Sequence, residues 1–140
     1  MARNDEVEIL AREREASHLG YIVVEKTIFA REFELSNQFR WIANQLPQMI
    51  SKKTSAERKR PRQEISKRIK ELSDVVRAKH IQHNLPFRCI DDYDECVARR
   101  RRQKRSTYLC SLALFICLAN SIKALLIAMA AAGGAGGLLR

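Results

Sequence analysis

Glycine is nearly missing from this 140-residue chain until its last eight positions: of five glycines, only Gly20 precedes Gly133. That excludes a glycine-rich phosphate loop, whose backbone must approach the phosphates closely. GxSxG and HExxH are absent too, so the common hydrolase and metalloprotease sites are not expected. Catalysis needs a rigid cleft, and so short a helical region offers little room for one. The chain therefore reads as a non-enzyme, with no catalytic residue, no cofactor-binding residue, no metal ligand and no cofactor. The opening residues, MARNDEVEILARERE, contain no apolar core, so a secretory signal peptide is not expected there.

Cysteine is also sparse. Cys89, Cys96, Cys110 and Cys117 do not form the dense framework of a secreted disulfide scaffold. Reduced thiols in a cytoplasmic compartment are the expectation. His80, His83, Cys89 and Cys96 are of types that suit zinc, but only the two histidines lie close together. A zinc knuckle pairs its ligands two to four residues apart in each half, so these residues read as solvated loop positions. Aromatic residues make up 6% of the chain, and none interleaves with its arginine run. That weakens single-strand nucleic-acid binding by stacking.

What the chain does have is a long apolar run. From Thr107 to Ala132 only Asn120 and Lys123 are strongly polar. A membrane-spanning helix needs roughly 20 apolar residues to cross a core of about 30 Å. Lys123 at a bilayer centre costs roughly 2.5–3.5 kcal/mol, but it lies toward the far side, where its stem reaches outward. Immediately before the run stand Arg99, Arg100, Arg101, Arg102, Lys104 and Arg105. Basic residues beside a span favour the cytoplasmic side, and each contributes about 1 kcal/mol near anionic lipid. The expectation is a membrane protein with a cytoplasmic N-terminus, anchored by this cluster. Asn120 and Lys123 stand three apart on one helix face. With Leu118 and Ser121 they form the candidate intramembrane contact face, since polar groups in lipid seek partners.

The net charge of +10 is unevenly placed: −2 in residues 1–50, +7 in 51–86 and +3 in 87–105. Such a field attracts nucleic acid or anionic head groups. The chain divides into an N-terminal helical region (1–50), a basic linker and helix (51–86), an acidic loop with arginine-rich juxtamembrane segment (87–105), a transmembrane helix (106–132) and a flexible tail (133–140). A first helix opens at Asn4 or Asp5 and ends at Gly20. YIVVE (21–25) is either a short strand or part of the next helix. That helix is marked by Ile28, Phe29, Phe33, Phe39, Ile42 and Leu46, with Leu35 and Trp41 on its flanks, and Pro47 stops it. The stripe reads as ordinary packing against the first helix or a second copy of the chain. Pro61 suits the first position of a third helix, whose seam is Ile65, Ile69, Leu72 and Val76. The fold class is thus mainly α: two or three amphipathic cytoplasmic helices, then one C-terminal transmembrane helix.

Residues 99–126 resemble the C-terminal half of the lysis proteins, or amurins, of small single-stranded RNA phages. The resemblance rests on RRQKRST (101–107), YLCSLALF (108–115) and ICLANSIKALL (116–126), with DDYDEC (91–96) similar to the region just upstream. Where that family carries a Leu-Ser pair, this chain has Leu118-Ala119. The resemblance implies insertion in a bacterial host's inner membrane and lysis of the host by contact with a membrane protein. Membrane lipids, a host membrane protein and a second copy of the chain are the partners in that reading. The alternatives are a tail-anchored adaptor and a viral accessory protein whose basic segment binds nucleic acid.

Overall fold

The structure, a computed structural model, describes residues 2–132. The flexible tail expected at 133–140 lies outside the described residues. The described residues are helical, with no strand among them: α1 (Ala2–Phe29), α2 (Phe33–Gln45), α3 (Gln48–Ser51), α4 (Ser55–Gln82), α5 (Cys89–Arg102) and α6 (Tyr108–Ala132). The mainly α class expected from sequence is what is found.

The apolar run forms α6 as expected, and α6 is long and apolar enough to cross a membrane. In this fold other helices cover one side of it, and 33% of its most apolar stretch is buried. It packs against α1, α4 and α5, while α2 packs on α1 and α4. Its inward stripe is Leu112, Phe115, Leu118, Ile122 and Leu125, all fully buried, at spacings of three and four. The α4 seam of Ile65, Ile69, Leu72 and Val76 is likewise fully buried and lies in the same core.

Several sequence expectations are corrected. Gly20 does not end the first helix, and YIVVE is not a strand: α1 runs on to Phe29, burying Val23 and Val24. Glycine is needed at position 20 for closeness, since a Cβ there would stand 2.9 Å from Ala43 Cβ and 3.1 Å from the Phe115 ring. The aromatic stripe at 28–46 is divided by the α1–α2 turn. Leu35, Phe39, Ile42 and Leu46 are core, whereas Phe29 is 86% and Phe33 57% exposed. The third helix starts at Ser55, before Pro61, because Thr54 caps it: its Oγ accepts the Glu57 N–H at 3.2 Å. The acidic loop is the first part of a helix, α5, with Asp91 and Asp92 in its first turn and Arg99 to Arg102 in its last. Those charges complement the helix dipole at both ends.

Three helices end in the same way. Arg31, Asn84 and Lys104 each adopt φ near +60°. After each, a backbone N–H reaches back five residues: Glu32 to Thr27 at 2.8 Å, Leu85 to His80 at 2.9 Å, and Arg105 to Arg100 at 2.9 Å. This is the Schellman arrangement, which satisfies carbonyls that the helix leaves unpaired.

Candidate functional site

Direction along the bundle follows from a few contacts. Glu13 meets Tyr108, and Gly20 meets Phe115, so α1 and α6 run parallel. Arg58 meets Glu6 and Arg62 meets Glu13, so α4 runs the same way. The starts of α1, α4 and α6 and the end of α5 therefore lie together, and a cleft of about 1420 Å³ opens among them.

A charge cluster forms beside the floor of this cleft. Glu13 is fully buried. It accepts two bonds from Arg62, from Nε at 3.0 Å and Nη2 at 2.8 Å. It also accepts the Tyr108 hydroxyl at 2.7 Å. Arg62 Nη1 turns the other way, to Glu6 at 2.9 Å, and Arg58 joins Glu6 at 2.8 Å. Arg58 also donates to the carbonyls of Met49 and Lys52. The Arg62 guanidinium lies 5.3 Å over the Tyr108 ring. Burial opposes the charge of Arg62, but Glu13 and Glu6 outweigh burial and raise its pKa above the usual arginine value. At the rim, Arg105 bonds Asp5. That bond holds the Asp5 carboxyl below its ordinary pKa and raises that of Arg105. These carboxylates are each engaged by a guanidinium, an arrangement suited to holding helices together.

The arginine cluster is divided between a helix end and a turn. Arg99, Arg100, Arg101 and Arg102 form the last turn of α5, while Lys104 and Arg105 stand in the turn before α6. Arg100 is half-buried. Its Nε bonds the Ser106 carbonyl, and its Nη2 is buried without a partner. The four residues of the expected contact face do not share one face here. Leu118 is fully buried in the bundle, and Ser121 is half-buried with its hydroxyl on the Leu118 carbonyl at 2.8 Å. Asn120 and Lys123 are exposed.

The cysteines correct the expectation of reduced thiols. Cys89 is bonded to Cys117 and Cys96 to Cys110, with Cα atoms 5.7 and 5.8 Å apart. The signal was in the spacing. Each helix carries its pair seven residues apart, two turns on one face, so antiparallel helices align both pairs at once. Two of the four residues weighed as zinc ligands are thereby consumed. His80 is no solvated loop residue either. It is buried, with Nδ1 2.8 Å from the Val76 carbonyl and its ring against Phe87.

Comparison with known protein families finds no family model that matches this chain, and neither a curated protein nor a solved structure matches it.

Proposed function

We propose that this is a non-enzymatic membrane-acting protein whose membrane element is α6, stored in the bundle when the disulfides are closed. One observation carries the reading: the helix on which α1, α4 and α5 pack is itself 25 residues long and apolar enough to span a bilayer. At 1.5 Å per residue it measures about 37 Å, longer than the hydrocarbon core.

The bundle and the inserted state exclude each other. Cys117 lies more than two turns into α6 and is joined to the first residue of α5. Inserting α6 with that bond intact would carry Asp91, Asp92, Asp94 and Glu95 toward bilayer depth, where carboxylates are strongly disfavoured. Reduction frees α5 to stay with the head groups, its arginines against anionic lipid. A reducing cytoplasm would therefore favour the inserted form, with the N-terminus on the cytoplasmic side. Lysis of a bacterial host through contact with an inner-membrane protein is the specific activity that the amurin resemblance of residues 99–126 supports. The experiment has two parts. Full-length chain is mixed with phosphatidylserine-containing vesicles with and without dithiothreitol, then extracted with alkaline carbonate; retention is expected only after reduction. Induced expression in a Gram-negative host is followed by turbidity, with a reporter at each terminus. Full recovery in the carbonate supernatant under both conditions would remove the membrane reading. Steady growth despite abundant inserted protein would remove lysis alone.

A second reading, an adaptor, is favoured by Phe29 and Phe33. Both project at the α1–α2 turn, largely exposed, as anchors for a protein partner would.

A further inference from the structure

The two basic stretches KRPRQEISKRIK (59–70) and RRRRQKR (99–105) are almost thirty residues apart in sequence. The fold brings one face of the first and the last three residues of the second, Gln103 to Arg105, to the walls of one cleft. Lys59, Gln63, Ser66 and Lys70 recur at spacings of four, three and four, one face of α4, and line the first wall. Gln103 and Lys104, in the α5–α6 turn, stand on the second. Tyr93 of α5 is there as well, with Lys70 Nζ 5.6 Å over its ring.

The charges in this cleft are not equivalent. Arg62 and Arg105 are committed to Glu13, Glu6 and Asp5. Lys59, Lys70 and Lys104 are exposed, and among the described residues none of them forms an ion pair. The carboxylates lining the cleft are neutralised and these three lysines carry no counter-charge, so its surplus charge is positive. Lys59 and Lys70 lie about 16 Å apart along α4, and the cleft is larger than the roughly 300–1,000 Å³ that suits a compact small molecule. Its amides and hydroxyls can bond phosphates, sugars or base edges.

We infer that this cleft binds single-stranded nucleic acid through its phosphates. A charged groove that tracks a backbone, with an aromatic ring beside it, is the usual means of holding a single strand without sequence preference. A flat bilayer could reach the rim but not both facing walls of a concave cleft. The inference does not depend on the membrane reading of α6, because the cleft belongs to the closed bundle.

The test uses the full oxidised chain and a fluorescein-labelled oligothymidylate, followed by anisotropy across about 50–200 mM salt. The triple variant Lys59→Gln, Lys70→Gln, Lys104→Gln should bind about tenfold or more weakly, with a log–log salt slope shallower by about 2, as expected for three lost contacts to a single strand. The triple Lys-to-Arg variant at the same positions should retain binding. Lys26→Gln, Arg77→Gln, Lys79→Gln removes the same charge toward the other end of the bundle and should stay within about twofold of the parent. No binding by the parent at low salt would overturn the inference. So would equal losses in the two glutamine triples, which would mean a diffuse field and no groove. Binding to phosphatidylserine vesicles that needs Lys59, Lys70 and Lys104, without oligonucleotide binding, would assign the cleft to lipid head groups and likewise overturn it.

Discussion

The hydroxyl of Tyr108, the first residue of α6, donates to the buried carboxylate of Glu13, 95 residues earlier on α1. Arg62 of α4 binds the same carboxylate through two nitrogens, so three helices are pinned at one point. Glu13→Ala would leave Arg62 buried with half its bonds gone. Losing one partner of a buried pair typically costs about 3–5 kcal/mol. A loss of that size is expected in urea denaturation of the oxidised chain. Replacing the group together, Glu13→Leu with Arg62→Met and Tyr108→Phe, should recover much of it, because no buried charge is then left alone.

Two substitutions involving glycine should act in opposite directions. Gly20→Ala gains up to about 1 kcal/mol of helix propensity, but its methyl would stand 2.9 Å from Ala43 Cβ. Overpacking of this kind costs about 1–3 kcal/mol, so net destabilisation is expected, relieved by adding Ala43→Gly. Arg31→Gly should instead stabilise by about 1 kcal/mol, since Arg31 sits at φ 61°, where a side chain is strained. Denaturation midpoints of the variants check both signs.

Peptide mapping of the oxidised chain without reduction should recover the pairs Cys89–Cys117 and Cys96–Cys110, and no other. Cys96→Ser with Cys110→Ser opens the inner loop. A crosslink closing a loop of about 15 residues contributes roughly 3 kcal/mol, and a fall of that order is expected in the unfolding free energy. An unchanged denaturation midpoint would show that these thiols do not pair in solution.

The Asp5–Arg105 pair gives a pH dependence of defined sign. Pairing with Arg105 lowers the folded-state pKa of Asp5. Its stabilisation is therefore present above the unfolded-state value, about 3.9, and lost as pH falls through the lower folded-state value. Thermal melts of the parent and Asp5→Asn should differ at neutral pH and converge in strong acid. A difference independent of pH would mean that the charge of Asp5 is not what matters.

Much of the helical order could be read directly from residue patterns. The Thr107–Ala132 run reads as one helix, because in lipid a lone apolar segment of that length satisfies its backbone only in that form. Ile65, Ile69, Leu72 and Val76 announced a buried stripe by spacing alone. The end of α1 could not be read this way: Gly20 looks like a stop, and only the approach of Ala43 and Phe115 explains a glycine in mid-helix. Likewise Asp91 to Glu95 looked like a loop, although acidic residues at one end and arginines at the other are what a helix dipole favours.

Apolarity by itself determined that α6 must be covered, but it could not distinguish lipid from protein as the cover. Tertiary structure decided that in this state the inner face of α6 is covered by α1, α4 and α5, because α1, α4 and α6 meet at Glu13, Arg62 and Tyr108 and two disulfides tie α5 alongside. It also decided which basic residues are free. Sequence counts all charges alike, whereas the fold neutralises Arg62 and Arg105 within one cleft and leaves Lys59, Lys70 and Lys104 facing across it. The physical reason is the same in both cases: local pattern fixes which face of a helix is apolar or charged, and only packing between distant segments fixes what that face meets.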